Sequence, residues 1–144
     1  MKLTIKLCNL LDDSPMNPYI LVVEDEVLVR MVTVDDLKLL GCRVEEAATA
    51  KEALYKINAL GTKLDAAIID LGLPDQKGDT LVKEFRRLRN DIPIVIASGY
   101  GDALVRKQFS NDHFISFLEK PYLSNQLIEA LEKIGVKFEK PQIS

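Results

Sequence analysis

Apolar residues fall into five short runs, separated by stretches in which apolar and polar positions alternate with a helical period. The runs are Tyr19 to Val23, Arg43 to Ala47, Asp65 to Ile69, Pro93 to Ala97 and Ile115 to Leu118. Short apolar runs bounded by turn residues read as strands buried on both faces. The first intervening stretch, about Glu26 to Leu40, repeats Val27, Met31, Val34 and Leu37 at helical spacing and stops at Gly41. The second opens on Thr49-Ala50-Lys51-Glu52, a capping-box pattern, and carries Ala50, Ala53, Leu54 and Ile57 before Gly61. The third carries Leu81, Phe85 and Leu88. The fourth, about Asp102 to Phe109, has the weakest periodicity. The fifth carries Leu127, Leu131 and Ile134, then Gly135.

Strict alternation of strand and helix implies right-handed crossovers and a parallel sheet covered on both faces. The expected fold class is α/β, a flavodoxin-like (βα)5 doubly wound sheet with five strands in the order 2-1-3-4-5. A chain of 144 residues fits one such domain. The expected boundaries are an N-terminal extension or linker over residues 1–18, the domain over 19–136 and a short polar tail over 137–144. The run Asp12-Asp13-Ser14-Pro15-Met16-Asn17-Pro18 is rich in turn formers, and Met16 offers an alternative start.

Composition narrows the function classes only a little. Hydrophobic residues make up 47% and charged residues 28%, with a net charge of −3. That balance argues against direct nucleic-acid binding, which needs clustered Lys and Arg. The one basic cluster, Arg86-Arg87-Leu88-Arg89, reads as charge compensation at a helix C-terminus. Cys8 and Cys42 form no CxxC pair and have no histidine near them in sequence, so both read as plain thiols in a reducing compartment. No apolar stretch approaches the roughly 20 residues that span a bilayer. Lys6 and Asn9 interrupt the N-terminal apolar residues and make a poor signal peptide. A cytoplasmic protein with no membrane partner is the expectation.

The chemistry gathers at the strand ends. Asp70 closes the third run and is followed by Leu71-Gly72-Leu73-Pro74; Glu24 and Asp25 close the first. Ser98-Gly99 follows the fourth run and Lys120-Pro121 the fifth. In the expected strand order these ends line one pocket, where open α/β sheets place their ligands. Three carboxylates together repel one another, and a magnesium ion with oxygen ligands offsets that repulsion. Asp70 would then serve as a nucleophile forming an acyl phosphate. Lys120 would pair with a phosphate oxygen as a point charge, and the Ser98 hydroxyl would hydrogen-bond another. Gly99 and Gly101 leave the loop after the fourth run free to move toward the phosphate. The lone His113, beside Asn111 and Asp112, reads as an exposed loop residue.

These residues carry a resemblance. From Tyr19 to about Ile134 the chain resembles the CheY-like receiver domain of two-component response regulators. The matching motifs are Val22-Val23-Glu24-Asp25, Asp70-Leu71-Gly72-Leu73-Pro74 with Gly78, Ala97-Ser98-Gly99 and Lys120-Pro121-Tyr122. The resemblance implies that Asp70 is the phosphoacceptor for a histidine kinase or a histidine phosphotransfer protein. It implies that Asp25 and Asp70 bind Mg2+, with Glu24 helping directly or through water and the Gly72 carbonyl as a further ligand. Ser98 and Lys120 would sense the phosphate, and Phe117 matches the aromatic switch position. The output would be a changed surface on the fourth helix, fifth strand and fifth helix, suited to an unidentified target or a phosphorylation-dependent homodimer. Such a domain is a signalling device rather than an enzyme, catalysing only its own phosphorylation and dephosphorylation. The wording of the motifs is similar to receivers at the ends of bacterial hybrid histidine kinases. Only Val136 to Ser144 follow the fifth helix in this sequence, and the expectation is either a stand-alone receiver or a receiver cut from a larger protein.

Several positions depart from the family pattern. Glu24 stands where the family often has Asp. Phe117 lacks a tyrosine hydroxyl, Gly72 leaves the phosphate unshielded, and Lys77 replaces a frequent acid. Two other readings compete. An aspartyl-phosphate phosphatase of the haloacid dehalogenase type wants a second acid two residues after the nucleophile, where this chain has Gly72. A pseudo-receiver would lack the full acid, hydroxyl and lysine set.

Overall fold

The structure, a computed structural model, describes residues 17–99 and 102–138. The expectations on Cys8, Met16, Gly101 and the last residues of the tail therefore lie outside the described residues. The elements alternate throughout: β1 (Tyr19–Val23), α1 (Val27–Leu39), β2 (Arg43–Ala47), α2 (Ala50–Leu60), β3 (Ala66–Asp70), α3 (Gly78–Leu88), β4 (Ile94–Ser98), α4 (Ala103–Gln108), β5 (Ile115–Glu119) and α5 (Ser124–Lys133). A 3-10 turn, Gly61–Lys63, follows α2. All strands pair in parallel, in the order β2-β1-β3-β4-β5. The flavodoxin-like α/β architecture expected from the alternation is the one observed.

Alternation along each strand divides the core into two layers. Ile20, Val22, Ala66, Ile68, Val95 and Leu118 face one side, where Val34 and Leu37 of α1 and Leu127, Ala130 and Leu131 of α5 cover them. Leu21, Val23, Ala67, Ile69, Ile94 and Ile96 face the other, under Ala53 and Ile57 of α2 and Leu81 and Phe85 of α3. β3 and β4 are buried along their whole length, as the sheet centre requires. Phe138, in the stretch expected to be a polar tail, is buried in the α1/α5 layer with Val136.

Helix starts follow local chemistry. Thr49 caps α2 by accepting the Glu52 N–H at 3.1 Å, as its capping-box pattern predicts. Asp75, from the loop after β3, adds a second cap by accepting the Ala50 and Lys51 N–H groups at 2.9 and 3.0 Å. These bonds hold its carboxyl below the usual aspartate range.

Two helix faces differ from expectation. The buried residues of α1 are Thr33, Val34 and Leu37, while Val27 and Met31 are exposed. The apolar stripe on α1 is wider than the face that meets the sheet, and periodicity alone cannot choose among its members. In α3, Leu81 and Phe85 are buried but Leu88 lies at the exposed last turn.

Candidate functional site

The sheet register builds the site. Val23 pairs with Ile69, so Glu24, just past β1, comes level with Asp70, the last residue of β3. Asp70 pairs with Ala97, which puts Ser98 one step beyond it on β4. Ser98 pairs with Glu119, which carries Lys120 to the same edge. The Lys120 backbone N–H donates to the Ser98 carbonyl at 2.7 Å, and the Lys120–Pro121 peptide is cis. Residues 96 apart in sequence thus become neighbours through ladder pairing alone.

The charges are close and poorly hydrated. One carboxylate oxygen from each of Glu24, Asp25 and Asp70 lies within 4.8 Å of the others. Glu24 is 3% exposed and Asp70 5%. The Lys120 ammonium donates to Glu24 Oε1 at 2.8 Å and lies 3.4 Å from Asp70 Oδ1. Burial, with Asp70 beside it, pushes the Glu24 carboxyl up to about 7 although Lys120 pulls it down. Burial disfavours the charged ammonium of Lys120 as well, but Glu24 and Asp70 outweigh it and hold the pKa above the ordinary lysine value. Three hard oxygen donors with one cation among them leave a surplus of negative charge, the donor set that suits a divalent cation such as Mg2+.

The supporting shell is backbone and second-row polar contacts. Arg30 of α1 donates through Nη1 to the Glu24 carbonyl at 2.7 Å and through Nε to Glu46 at 3.1 Å. Gly78 opens α3 against the strand end, where a Cβ would lie 2.5 Å from Leu71 Cα and 2.7 Å from the Asp70 carbonyl oxygen. Only glycine allows that approach, which accounts for the Gly78 of the sequence motif. At Gly72 a Cβ would sit 3.7 Å from Asp70 Oδ2, an ordinary contact, so that glycine leaves the carboxylate open rather than relieving a clash. The Thr33 hydroxyl donates to the Val29 carbonyl at 2.9 Å. Its single proton is thereby committed, so the Tyr122 hydroxyl donates to Thr33 Oγ1 across 2.7 Å. This bond ties the Lys120-Pro121-Tyr122 segment to α1.

Of the candidate site residues, Glu24, Asp25, Asp70, Gly72, Ser98 and Lys120 lie at this edge, and Phe117 does not. Phe117 sits on β5, half-buried, with the Arg106 guanidinium of α4 over its ring, 5.1 Å from the centroid. His113 is exposed, as expected. The basic cluster does more than offset a helix dipole. Arg86 pairs with Asp112 at 2.5 Å, and Arg89 donates to the Gly61 and Leu64 carbonyls at 3.0 and 2.5 Å. Sequence reading missed Glu26, whose carboxylate lies 3.3 Å from Lys120 Nζ. It also missed Arg30, Thr33 and Asp75. Glu26 alone carried a signal, as a third acid after Glu24-Asp25, but an acid at a helix start is commonplace.

Comparison with known proteins agrees with this geometry. A family model described as the response regulator receiver domain matches residues 20–132. The sensor kinase CckA of Brucella abortus is 35% identical over 115 residues, which cover 80% of this chain and 12% of that protein. The chemotaxis protein CheY of Thermotoga maritima is 27% identical over 121 residues, covering 83% of this chain and 99% of that one. The crystal structure of a CheY-like receiver domain protein from Methanospirillum hungatei superimposes with a TM-score of 0.73 at 28% identity, over 81% of this chain and 92% of that one. The chain spans only 12% of the length of CckA and 26% of the transcriptional regulatory protein DctD of Rhizobium meliloti. Among the described residues no helix is long and apolar enough to cross a membrane. Strand order, the acidic strand-end cluster and the matched family model agree: the chain belongs to the response regulator receiver domain family of two-component signalling.

Proposed function

We propose that Asp70 accepts a phosphoryl group from the phosphohistidine of a histidine kinase or a histidine phosphotransfer protein. The observation that carries this reading is the strand-end cluster itself, three carboxylates within 4.8 Å of one another with the Lys120 ammonium against two of them. An Asp70 carboxylate oxygen attacks phosphorus as the phosphorus–nitrogen bond breaks, and the leaving imidazole takes a proton. The product is an acyl phosphate on Asp70. Glu24, Asp25, Asp70 and the Gly72 carbonyl would hold Mg2+, which when bound supplies neutralisation of the phosphoryl charge. Burial of Glu24 and Asp70 strengthens the charge interactions around the acceptor. Lys120 leaves Asp70 and Glu24 to pair with the new phosphate, and Ser98 hydrogen-bonds another of its oxygens.

The consequence is a switched protein surface over α4, β5 and α5, with Phe117 responding as Ser98 moves. A local change of charge biasing a two-state element is the general form of such switches. The open carboxylate beside Gly72 lets water reach the acyl phosphate, so self-catalysed dephosphorylation accompanies the signal. The resemblance to CckA supports a receiver that works within a larger kinase in the cytoplasm, its target a protein or a second copy of the domain.

Intact mass after incubation with acetyl phosphate tests the reading. A single phosphoryl adduct that requires Mg2+ and is lost in Asp70→Asn is the expected result. No adduct and no Mg2+ binding would leave a pseudo-receiver, and an adduct persisting in Asp70→Asn would name another acceptor.

A further inference from the structure

We propose that Glu26 is a positioning residue that holds Lys120 back from an incoming phosphoryl group, an inference that rests on Asp70 being the acceptor. Lys120 Nζ meets three carboxylates, Glu24 at 2.8 Å, Glu26 at 3.3 Å and Asp70 at 3.4 Å. Glu24 and Asp70 belong to the buried cluster, with side chains 5% and 7% exposed. The Glu26 side chain is 62% exposed and would be expected to remain in water. It stands at the N-cap of α1, yet its carboxylate caps no helix N–H. Its own N–H donates to Glu24 Oε2 at 3.2 Å, which anchors its backbone within reach of Lys120.

The surroundings give that contact a consequence. A groove of about 430 Å³ runs between α1 and the Pro121–Tyr122 segment, lined by Leu28, Val29 and Val32, and Glu26 and Lys120 lie together along its wall. The Tyr122–Thr33 bond ties the segment that follows Lys120 to α1, the helix that Glu26 begins. To reach a phosphate on Asp70 the ammonium must surrender Glu26. The interaction it gives up is subtracted from what the phosphate gains. Glu26 therefore biases Lys120 toward its resting partners and slows phosphoryl capture.

Two rates measured on the same set of proteins test this. The first is acetylation of Lys120 by sulfosuccinimidyl acetate, followed by peptide mass spectrometry. The second is phosphorylation by acetyl phosphate with Mg2+. Glu26→Gln should raise both by about two- to fivefold, the scale of one partly exposed ion pair. Glu26→Asp keeps the charge but is one methylene shorter, and should resemble Glu26→Gln rather than the wild type. In a Lys120→Gln background the Glu26→Gln change should add nothing to the phosphorylation rate. Unchanged acetylation of Lys120 in Glu26→Gln overturns the proposal, as does an acceleration of phosphorylation that persists undiminished without Lys120. Absence of any adduct on the wild-type protein would instead overturn the Asp70 reading, while the acetylation rates still decide whether Glu26 restrains Lys120.

Discussion

The two ends of the sheet both carry dense charge, and they use it in opposite ways. At the N-terminal ends of β3, β4 and β5 the charges are matched and bonded. Arg86 makes a two-pronged contact with Asp112, at 2.5 and 3.2 Å, and also donates to the Ile92 and Phe114 carbonyls at 2.6 and 3.3 Å. Arg89 closes the carbonyls of Gly61 and Leu64. At the C-terminal ends, Glu24, Asp25 and Asp70 crowd together with Lys120 as the cation that bridges two of them. The acids report the difference. Burial raises the Asp112 pKa, but Arg86 and the Phe114 N–H outweigh it and hold the carboxyl below its usual range. Glu24 is pushed up to about 7, by burial first and by the neighbouring Asp70 second, with Lys120 too weak an offset. A matched end holds strands in place; an end with a negative surplus is prepared for a ligand that brings positive charge.

If the carboxylate end is held by backbone packing rather than by its ion pairs, the largest stability loss there should come from an uncharged residue. Gly78→Ala forces a Cβ onto Leu71 Cα and the Asp70 carbonyl, both backbone atoms that cannot step aside cheaply. The expected loss is about 3 kcal/mol in urea denaturation, accompanied by slower phosphorylation as the Asp70 segment shifts. A fully stable Gly78→Ala protein would break the comparison.

At the matched end, Arg86→Ala should cost about 2 kcal/mol, because Asp112 and two carbonyls lose a charged donor together. Phosphorylation should be unaffected. The pH dependence has a definite sign. Asp112 has a lowered pKa when folded, so its contribution is complete above the ordinary aspartate value and is lost as pH falls through the lower folded value. The stability gap between wild type and Arg86→Ala should therefore be full at neutral pH and shrink in acid. The smallest effect belongs to the exposed flank of α1. Met31→Ser should change stability by no more than about 0.5 kcal/mol, checked by the same denaturation curves.

Most of the architecture was legible in the sequence because it is written locally. Strands β1 and β2 begin and end at the residues where their apolar runs do, and β3, β4 and β5 differ from their runs by a single residue at one or both ends. Thr49 and Glu52 announce the start of α2, and Gly135 the end of α5. The candidate site residues Glu24, Asp25, Asp70, Ser98 and Lys120 were legible for the same reason, since each lies within two residues of the end of an apolar run. The faces of the helices were less so. Val27, Met31, Val34 and Leu37 share one period, but only the last two meet the sheet, while the polar Thr33 is buried because Tyr122 supplies its partner.

By itself, then, the sequence determined the alternation of elements and which residues end the strands, and it pointed to the flavodoxin-like strand order, which the sheet pairing then fixed. These depend on spacing along one chain segment at a time. Tertiary structure decided which charges share a partner. That Glu26 reaches Lys120, that Asp75 caps a helix 25 residues away, and that Arg89 closes carbonyls on the far side of a crossover are results of register and packing. A carboxylate at a helix start has the same sequence whether it faces water or an ammonium, and only the strand that arrives beside it settles the difference.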